Sequence, residues 1–220
     1  MGASLTTGVT NRDGWDVERF LGTGTAEVGR VLRLLDHLGV SPRRGTALDF
    51  GCGPGRLTAA LAQAGFSHVI GVDVASTMLA TARELVTDPR CEFRLNTGTT
   101  LTDLGSGTVD LVYSCRVLQH LPPRLVAGYV REFLRVARPG APVVFQMPAE
   151  PARNVAGMAI RVLPDPVLVW LRRGMRMHGI SPPEVVRLVA RCGGVTVSVE
   201  DDDSAGPRWR SYLYVVRRDG

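Results

Sequence analysis

The sequence predicts an α/β fold in which a mostly parallel, seven-stranded sheet carries helices on both faces. Short apolar segments alternate with amphipathic helical patterns through residues 46–147, as in repeated β–α units. The strand patterns are almost continuously apolar, which is typical of a sheet that is covered on both sides. Two more strand patterns lie close together at the end of the chain and predict an antiparallel last strand.

Strand and helix patterns follow one another from residue 15 onward. The first helical pattern covers 15–38 and ends before Gly39 and Pro42, both of which stop helices. The predicted strands are 46–50, 68–73, 91–95, 109–114, 141–147, 195–200 and 211–217. Later helices are predicted at 56–64, 76–87, 122–138 and 181–193, and Ser76 is the expected N-cap of the second of these.

The length of 220 residues predicts a single domain, 1–220, with four parts. An N-terminal helical segment (1–44) precedes a ligand-binding core (45–147). Residues 148–180 are rich in proline and methionine and show no strand pattern, so we expect them to form a cap or insertion. A closing helix and hairpin complete the chain (181–220).

Composition narrows the classes of partner. The net charge is +5 and every basic residue is arginine. Because the arginines are scattered along the chain, codon usage explains their number better than a surface that binds nucleic acid does. No stretch reaches the roughly 20 apolar residues of a membrane span. The acidic run 200–203 lacks the spacing of a calcium loop, and we interpret it as a solvated turn without metal.

Four cysteines lie far apart and form no CxxC pair; they are Cys52, Cys91, Cys115 and Cys192. This spacing argues against a zinc site and against a disulfide framework. It predicts a protein of the reducing cytoplasm that needs no metal.

The segment DFGCGPG, residues 49–55, places three glycines between a strand and a helix, directly after a carboxylate. A dinucleotide fingerprint would need glycine at position 56, where Arg56 stands. A phosphate loop would need a lysine, and the sequence has none. Asp49 would repel a pyrophosphate and suits a cationic ligand, while Asp73, at the end of the next strand, can accept hydrogen bonds from both ribose hydroxyls. Together they predict a positively charged nucleoside without phosphate.

At these residues the sequence resembles the class I S-adenosylmethionine-dependent methyltransferases. The resemblance rests on LDFGCGPG, GVDVA, VDLVYSCRVLQHLPP and LRVARPGAPVVF, and covers roughly residues 45–147 with the closing strand pair. It implies a Rossmann-like fold, S-adenosylmethionine as cofactor, and in-line transfer of a methyl group to an O or N atom of a small-molecule acceptor, secondary metabolites included.

The resemblance also implies roles for individual positions. Asp49 would lie near the methionine amino group, Asp73 would hold the ribose hydroxyls, and Val74 would pack on the adenine. The family often has an acid after the third strand; here LNTGTTL has none, and Asn96, Gly98 or Thr99 would serve instead. The expected cofactor set is Asp49, Gly51, Cys52, Gly53, Gly55, Asp73, Val74, Gly98, Thr99, Ser114 and Cys115.

Residues for the acceptor follow the fourth strand and the cap. His120 is a candidate general base, with a structural histidine as the alternative, and His178 is a second candidate base or a helix-end cap. The expected acceptor contacts are Trp15, Arg116, Met158, Trp170, Met177 and Trp209. The segment SCRV lacks the (N/D)PPY-like motif of nucleobase amine methylation, and a nucleophilic Cys115 is not expected. An RNA or protein methyltransferase, and a non-catalytic cofactor-binding protein, remain as alternatives.

Overall fold

The computed structural model describes residues 17–154 and 177–218. Its strands are β1 (Thr46–Phe50), β2 (His68–Asp73), β3 (Cys91–Leu95), β4 (Leu111–Ser114), β5 (Pro142–Pro151), β6 (Gly194–Asp202) and β7 (Trp209–Arg218). Its helices are α1 (Val17–His37), α2 (Arg56–Gln63), α3 (Ser76–Leu85), α4 (Pro123–Val136) and α5 (Pro182–Arg191), with a 3₁₀ turn at Leu118–His120.

The strands form one seven-stranded sheet in the order β3-β2-β1-β4-β5-β7-β6. Strands β1 to β5 are parallel, and β7 runs antiparallel between β5 and β6. The predicted sheet and its antiparallel last strand are therefore confirmed. Strand order reverses between β1 and β4, and open α/β sheets bind their ligands beyond the carboxyl ends of the strands at such a switch point.

Helices cover both faces of the sheet. Helix α4 packs on one face, where the ring of Phe50 at the end of β1 lies 4.5 Å from that of Tyr129 and 5.0 Å from that of Phe133. Helices α1 and α2 cover the other face, around the fully buried Leu35 and Leu61. The last residue of β1 is thus fixed by core packing just before the glycine turn begins.

Several local predictions were wrong. The acidic run 200–203 is not a turn throughout, because residues 200–202 belong to β6 and pair with β7. Strand β5 continues to Pro151, beyond the predicted end at residue 147, because β7 pairs with it as far as Trp209. Residues 148–151 therefore belong to the sheet and not to a cap. The N-cap of α3 is Ala75 rather than Ser76. Among the described helices, none has both the length and the apolar character needed to cross a membrane.

Candidate functional site

The glycine turn after β1 is held by its backbone. Gly51, Gly53 and Gly55 have φ angles of 78°, 53° and 86°, a region that residues with a Cβ rarely adopt. The N–H groups of Gly51 and of the buried Cys52 donate to the carbonyl of Val72, at 2.7 and 3.0 Å. The turn is thereby tied to the end of β2.

The three glycines differ in what surrounds them. A Cβ on Gly51 would overlap the side chain of Val117, and one on Gly55 would lie 2.9 Å from Val86 Cγ2. A Cβ on Gly53 would meet nothing within 4 Å. Gly51 and Gly55 therefore allow close packing of the protein on itself, whereas a Cβ on Gly53 would enter open space.

Asp73 organises the edge between β1 and β2. Its Oδ2 accepts a hydrogen bond from the Gly53 N–H at 2.8 Å, and its Oδ1 accepts one from the Ala75 N–H at 2.9 Å. Each carboxylate oxygen has a second lone pair that remains for a ligand hydroxyl. Val74 follows with 69% of its surface exposed, which places an apolar face beside the carboxylate.

Asp49 is enclosed beneath the same turn. Its Oδ2 accepts a hydrogen bond from Thr58 Oγ1 at 2.7 Å, whereas its Oδ1 is buried and has no partner among the described residues. Burial raises the pKa of Asp49 to about 7, although the Thr58 hydrogen bond and the charge of Arg56 act in the opposite direction. A buried carboxylate oxygen without a donor is costly, so this atom fits the ammonium group of a bound ligand.

A partly buried ion pair joins α1 to the start of α2. Arg56 Nη2 lies 2.8 Å from Glu27 Oε2, and the Tyr113 hydroxyl donates to Glu27 Oε1 at 2.8 Å. Burial raises the pKa of Glu27, but the charge of Arg56 and the hydrogen bonds from Arg56 and Tyr113 outweigh it and leave that pKa below its usual value. Glu27 is therefore ionised, and each of its carboxylate oxygens has a hydrogen-bond partner.

The loop after β3 lies beside Asp73. The Asn96 N–H donates to the Asp73 carbonyl at 2.9 Å, and Asn96 Nδ2 is buried without a partner among the described residues. The Tyr129 hydroxyl donates to the Gly98 carbonyl at 2.7 Å, which fixes the loop to α4. Gly98 and Thr99 are exposed at the rim.

Ser114 ends β4, and it has different surroundings from Cys115 and Arg116, which follow it. Ser114 is fully buried, and its hydroxyl donates to the Phe50 carbonyl at 3.1 Å, so it joins β4 to β1. Burial raises the pKa of the Cys115 thiol to about 12, and its Sγ lies 3.8 Å from Ser204 Oγ. A thiol of that pKa stays protonated near neutral pH, in keeping with the prediction that Cys115 is no nucleophile. Arg116 has a φ of 62° and donates its N–H to Gln146 Oε1 at 3.2 Å.

The two candidate bases lie on adjoining segments. Gln119 Nε2 lies 3.1 Å from His120 Nε2, and the His178 N–H donates to the Gln119 carbonyl at 2.8 Å. The stretch 177–180, which begins at Met177, lies beside β5, because the Ile180 N–H donates to the Pro148 carbonyl at 2.9 Å.

Trp209 begins β7 and reaches the same stretch. A Cβ on Gly179 would lie 3.1 Å from its ring. The structure therefore brings the 3₁₀ turn, the stretch 177–180 and the start of β7 together at the carboxyl edge of the sheet. Three predicted acceptor contacts lie outside the described residues; they are Trp15, Met158 and Trp170.

A cleft of about 540 Å³ adjoins this edge, between α1 and the turn after β6. The acidic run 200–203 forms one wall, and within it Asp202 Oδ2 accepts hydrogen bonds from the Ser204 N–H at 3.0 Å and the Ser211 hydroxyl at 3.1 Å. In the part of the chain that the structure describes, no cluster of His, Cys, Asp and Glu is arranged to hold a metal ion.

Comparisons with known proteins agree with this geometry. Residues 47–140 match the sequence family described as "Methyltransferase domain". Over these residues the chain belongs to the methyltransferase domain family, and its sheet has the Rossmann-like class I methyltransferase fold. Its fold is also that of an S-adenosylmethionine dependent methyltransferase from Mesorhizobium loti, with a TM-score of 0.65, 24% identity, and coverage of 86% of this chain and 96% of that one.

Curated relatives of the methyltransferase domain match over longer stretches than the family does. A trans-aconitate 2-methyltransferase from Azoarcus sp. (strain BH72) is 30% identical over 173 residues, which are 76% of this chain and 62% of that protein. A ubiquinone biosynthesis O-methyltransferase from Idiomarina loihiensis is 30% identical over 147 residues, 64% of this chain and 58% of that protein. The chain thus spans about three fifths of the length of these relatives.

Several residues of the site were not predicted from the sequence. Glu27 and Tyr113 reach the site from α1 and β4, far from the glycine turn in the chain, and no local pattern indicates them. Thr58 is close in the chain, on the first turn of α2, but nothing in the sequence marks it as a partner of Asp49. Two others left a local trace: Arg56 follows the third glycine directly, and Gln146 is a polar residue inside the apolar strand VVFQM. A lone polar residue near the carboxyl end of a buried strand is the feature that would have identified Gln146.

Proposed function

We propose that this chain is an S-adenosylmethionine-dependent methyltransferase that acts on an O or N atom of a small-molecule acceptor. The observation that carries the proposal is the pair of carboxylates, Asp49 and Asp73, at the carboxyl ends of β1 and β2 next to the glycine turn. One has a buried oxygen without a donor, and the other is oriented by two backbone N–H groups. A cationic amino-acid group and a ribose are the ligand parts that fit them.

Described residues would contact three parts of this cofactor. Asp49 Oδ1 would accept from the ammonium group, and Asp73 would accept from the ribose hydroxyls. Val74, with Asn96, Gly98 and Thr99, would border the adenine. When bound, S-adenosylmethionine supplies a methyl group that is already activated on a sulfonium.

The protein's own part is to orient the acceptor, to exclude water and, for a hydroxyl acceptor, to remove a proton. His120 is the proposed base, because it lies on the turn that follows β4 at the carboxyl edge of the sheet. Gln119 Nε2 donates to His120 Nε2, which places the ring proton on Nδ1, and this hydrogen bond would open when His120 Nε2 takes the proton of the acceptor. His178 is the second candidate.

The class of acceptor is proposed from the names of the relatives. Both curated relatives named above act on small molecules by their names, and this supports a small-molecule acceptor, including a secondary metabolite. Arg116, Met177 and Trp209 would contact it, with Trp15, Met158 and Trp170 from the rest of the chain. Four free cysteines without a pairing partner support a reducing, cytoplasmic setting.

Calorimetric titration with S-adenosylhomocysteine tests the cofactor. We expect saturable binding to the wild-type protein, and its absence would remove the proposal. Transfer of a labelled methyl group from S-adenosylmethionine is then measured with small hydroxylated acids and amines, total RNA and a protein lysate. Labelling of RNA or protein alone would favour the macromolecular alternative, and labelling of nothing would favour a non-catalytic cofactor-binding protein.

For His120, replacement by alanine is expected to lower turnover of a hydroxyl acceptor about 10²-fold or more while the affinity for S-adenosylhomocysteine is unchanged. Unchanged turnover would assign this histidine to structure alone.

A further inference from the structure

Arg116 has an unusual backbone conformation for its residue type. Its φ of 62° makes it the one non-glycine residue with positive φ in 17–154 and 177–218. Such a conformation is strained in a residue with a Cβ and persists only where the surroundings enforce it. Here the N–H of Arg116 donates to Gln146 Oε1 at 3.2 Å, which fixes the residue across the ends of β4 and β5.

The side-chain amide of Gln146 has an N–H donor without a hydrogen-bond partner among the described residues. The side chain is fully buried on β5, and Leu213 of β7 lies opposite it in the sheet. Because Oε1 faces the Arg116 N–H, the amide cannot be flipped without loss of that bond, and Nε2 must be the other atom. This Nε2 is buried and has no partner among the described residues, although buried amide donors are rarely left unpaired.

The positive charge of the Arg116 guanidinium is not neutralised by a close carboxylate in the described ranges. Its side chain is about half exposed, and Nη2 lies 4.0 Å from Glu27 Oε2. That carboxylate is already engaged by Arg56 and by the Tyr113 hydroxyl, each at 2.8 Å. The single negative charge of Glu27 is thus balanced by Arg56, and no closer carboxylate faces Arg116 within the described ranges.

We propose that Arg116 and Gln146 together bind a carboxylate of the acceptor, so that the methyl acceptor is a small carboxylic acid. This inference rests on the proposed function and names its substrate class. A guanidinium presents paired donors that match a carboxylate, and the unpaired amide N–H of Gln146 adds a third. One cation with one neutral donor suits a monoanionic group better than a dianionic phosphate.

The site also accounts for the conformation of Arg116. With positive φ at this position, the chain turns where β4 ends, and the arginine is held beside β5 near the glycine turn. An acceptor held there by its carboxylate would lie at the switch point of the sheet, where the cofactor is also proposed to bind.

The experiment compares acids with their uncharged amides. The probes are 4-hydroxybenzoate against 4-hydroxybenzamide, and trans-aconitate against its triamide. Binding is measured by calorimetry on the protein with and without S-adenosylhomocysteine, and methyl transfer is measured in parallel. We expect each acid to bind at least tenfold more tightly than its amide.

Arg116→Asn removes the charge but keeps a residue type that tolerates positive φ. We expect it to lower acid affinity by tenfold or more, and to leave amide affinity and S-adenosylhomocysteine affinity unchanged. Gln146→Leu is expected to lower acid affinity several-fold. Arg90→Asn, in the loop before β3, is the matched control and should change none of these values. Arg116→Lys, which keeps the charge, should retain a preference for acids.

Equal binding of acids and amides by the wild type would overturn the proposal, as would an equal loss of both in Arg116→Asn or no binding of any acid. Failure to bind S-adenosylhomocysteine is a different result and contradicts the proposed function instead. The difference in affinity between acid and amide is also measured on the protein without S-adenosylhomocysteine. That measurement does not depend on whether the cofactor binds. If circular dichroism shows that the Arg116→Asn variant is unfolded, the Arg116→Lys and Gln146→Leu variants provide the test instead.

Discussion

The two halves of the carboxyl edge are built in different ways. At the ends of β1 and β2 the site consists of backbone groups and near neighbours: the Gly53 N–H bonds to Asp73, and Thr58 bonds to Asp49. At the ends of β4 and β5 it consists of side chains from separate segments, with Glu27 from α1 and Gln146 from β5 around Arg116. The first half depends on the local chain and the second on the whole fold.

This difference has a physical basis. A turn that needs positive φ at three positions can be built in one stretch of chain and requires glycine there. An anion site or a proton acceptor needs only that certain side chains meet, and any elements that converge can supply them. Variants of the first half should therefore change stability and cofactor affinity, and variants of the second should change acceptor preference.

At constant pH, the largest loss of stability should come from Gly51→Ala. The new Cβ would overlap Val117, and the residue has a φ of 78°. Overpacking and backbone strain together should lower the free energy of unfolding by about 3 kcal/mol. Urea unfolding measures this loss.

Gly53→Ala is the matched control, because the same change there meets nothing within 4 Å. It should cost only the strain of about 1 kcal/mol, while S-adenosylhomocysteine affinity falls because the methyl group enters the ligand's space. In a double-mutant cycle, Val117→Ala should recover at least about 1 kcal/mol of the Gly51→Ala loss. Equal destabilisation by both glycine variants would contradict the distinction between them.

Asp73→Asn should have the next largest effect. The variant keeps one acceptor oxygen but turns an NH₂ group toward one of two backbone N–H donors, and it removes the charge. Hydrogen bonds to a charged group contribute about 2 kcal/mol, so we expect roughly thirtyfold weaker binding of S-adenosylhomocysteine by calorimetry.

The control for that measurement is Asp88→Asn. Asp88 pairs with Arg90 in the loop before β3 and should not influence cofactor affinity. If Asp73→Asn and Asp88→Asn bind S-adenosylhomocysteine with equal affinity, the contact between Asp73 and the ribose is excluded.

The same comparison explains what the sequence could and could not predict. The sheet, its helices and the glycine turn follow from apolar periodicity and from local backbone requirements, and they were predicted correctly. The extension of β5 to Pro151 was missed because it depends on pairing with β7, which is distant in the chain. Glu27 and Tyr113 were missed because their meeting is a product of helix α1 packing on the sheet. Even inside the glycine turn, only the folded chain shows that Val117 fills the space beside Gly51.

The raised pKa of the Asp49 carboxyl group predicts that the stability of the protein depends on pH. Its pKa is raised from the ordinary 3.8 to about 7 in the folded protein, so the folded state holds a proton that the unfolded state has released. The free energy of unfolding should therefore fall by up to about 1.4 kcal/mol per pH unit as pH rises from about 4 to about 7. Urea unfolding of wild type and Asp49→Asn at several pH values measures this slope.

Asp49→Asn should remove this contribution to the slope, because an amide does not titrate. If Asp49 meets the ammonium group of the nucleoside, binding should also release a proton near neutral pH. Calorimetry in buffers of different ionisation enthalpy detects that proton, and the Asn variant should release less. An identical proton count in both proteins would separate Asp49 from the ligand.

The smallest effect should come from Tyr129→Phe, which tests whether α4 positions the loop after β3. The change removes the hydroxyl that donates to the Gly98 carbonyl at 2.7 Å but keeps the ring beside Phe50. A single hydrogen bond is worth about 1 kcal/mol, so S-adenosylhomocysteine affinity should fall less than tenfold. Tyr214→Phe is the matched control, since the Tyr214 hydroxyl is buried with no partner among the described residues, and its removal should leave affinity unchanged and stability unchanged or raised. If both variants bind the nucleoside as the wild type does, the loop holds its position without α4, and the adenine contact depends on the chain next to Asp73 alone.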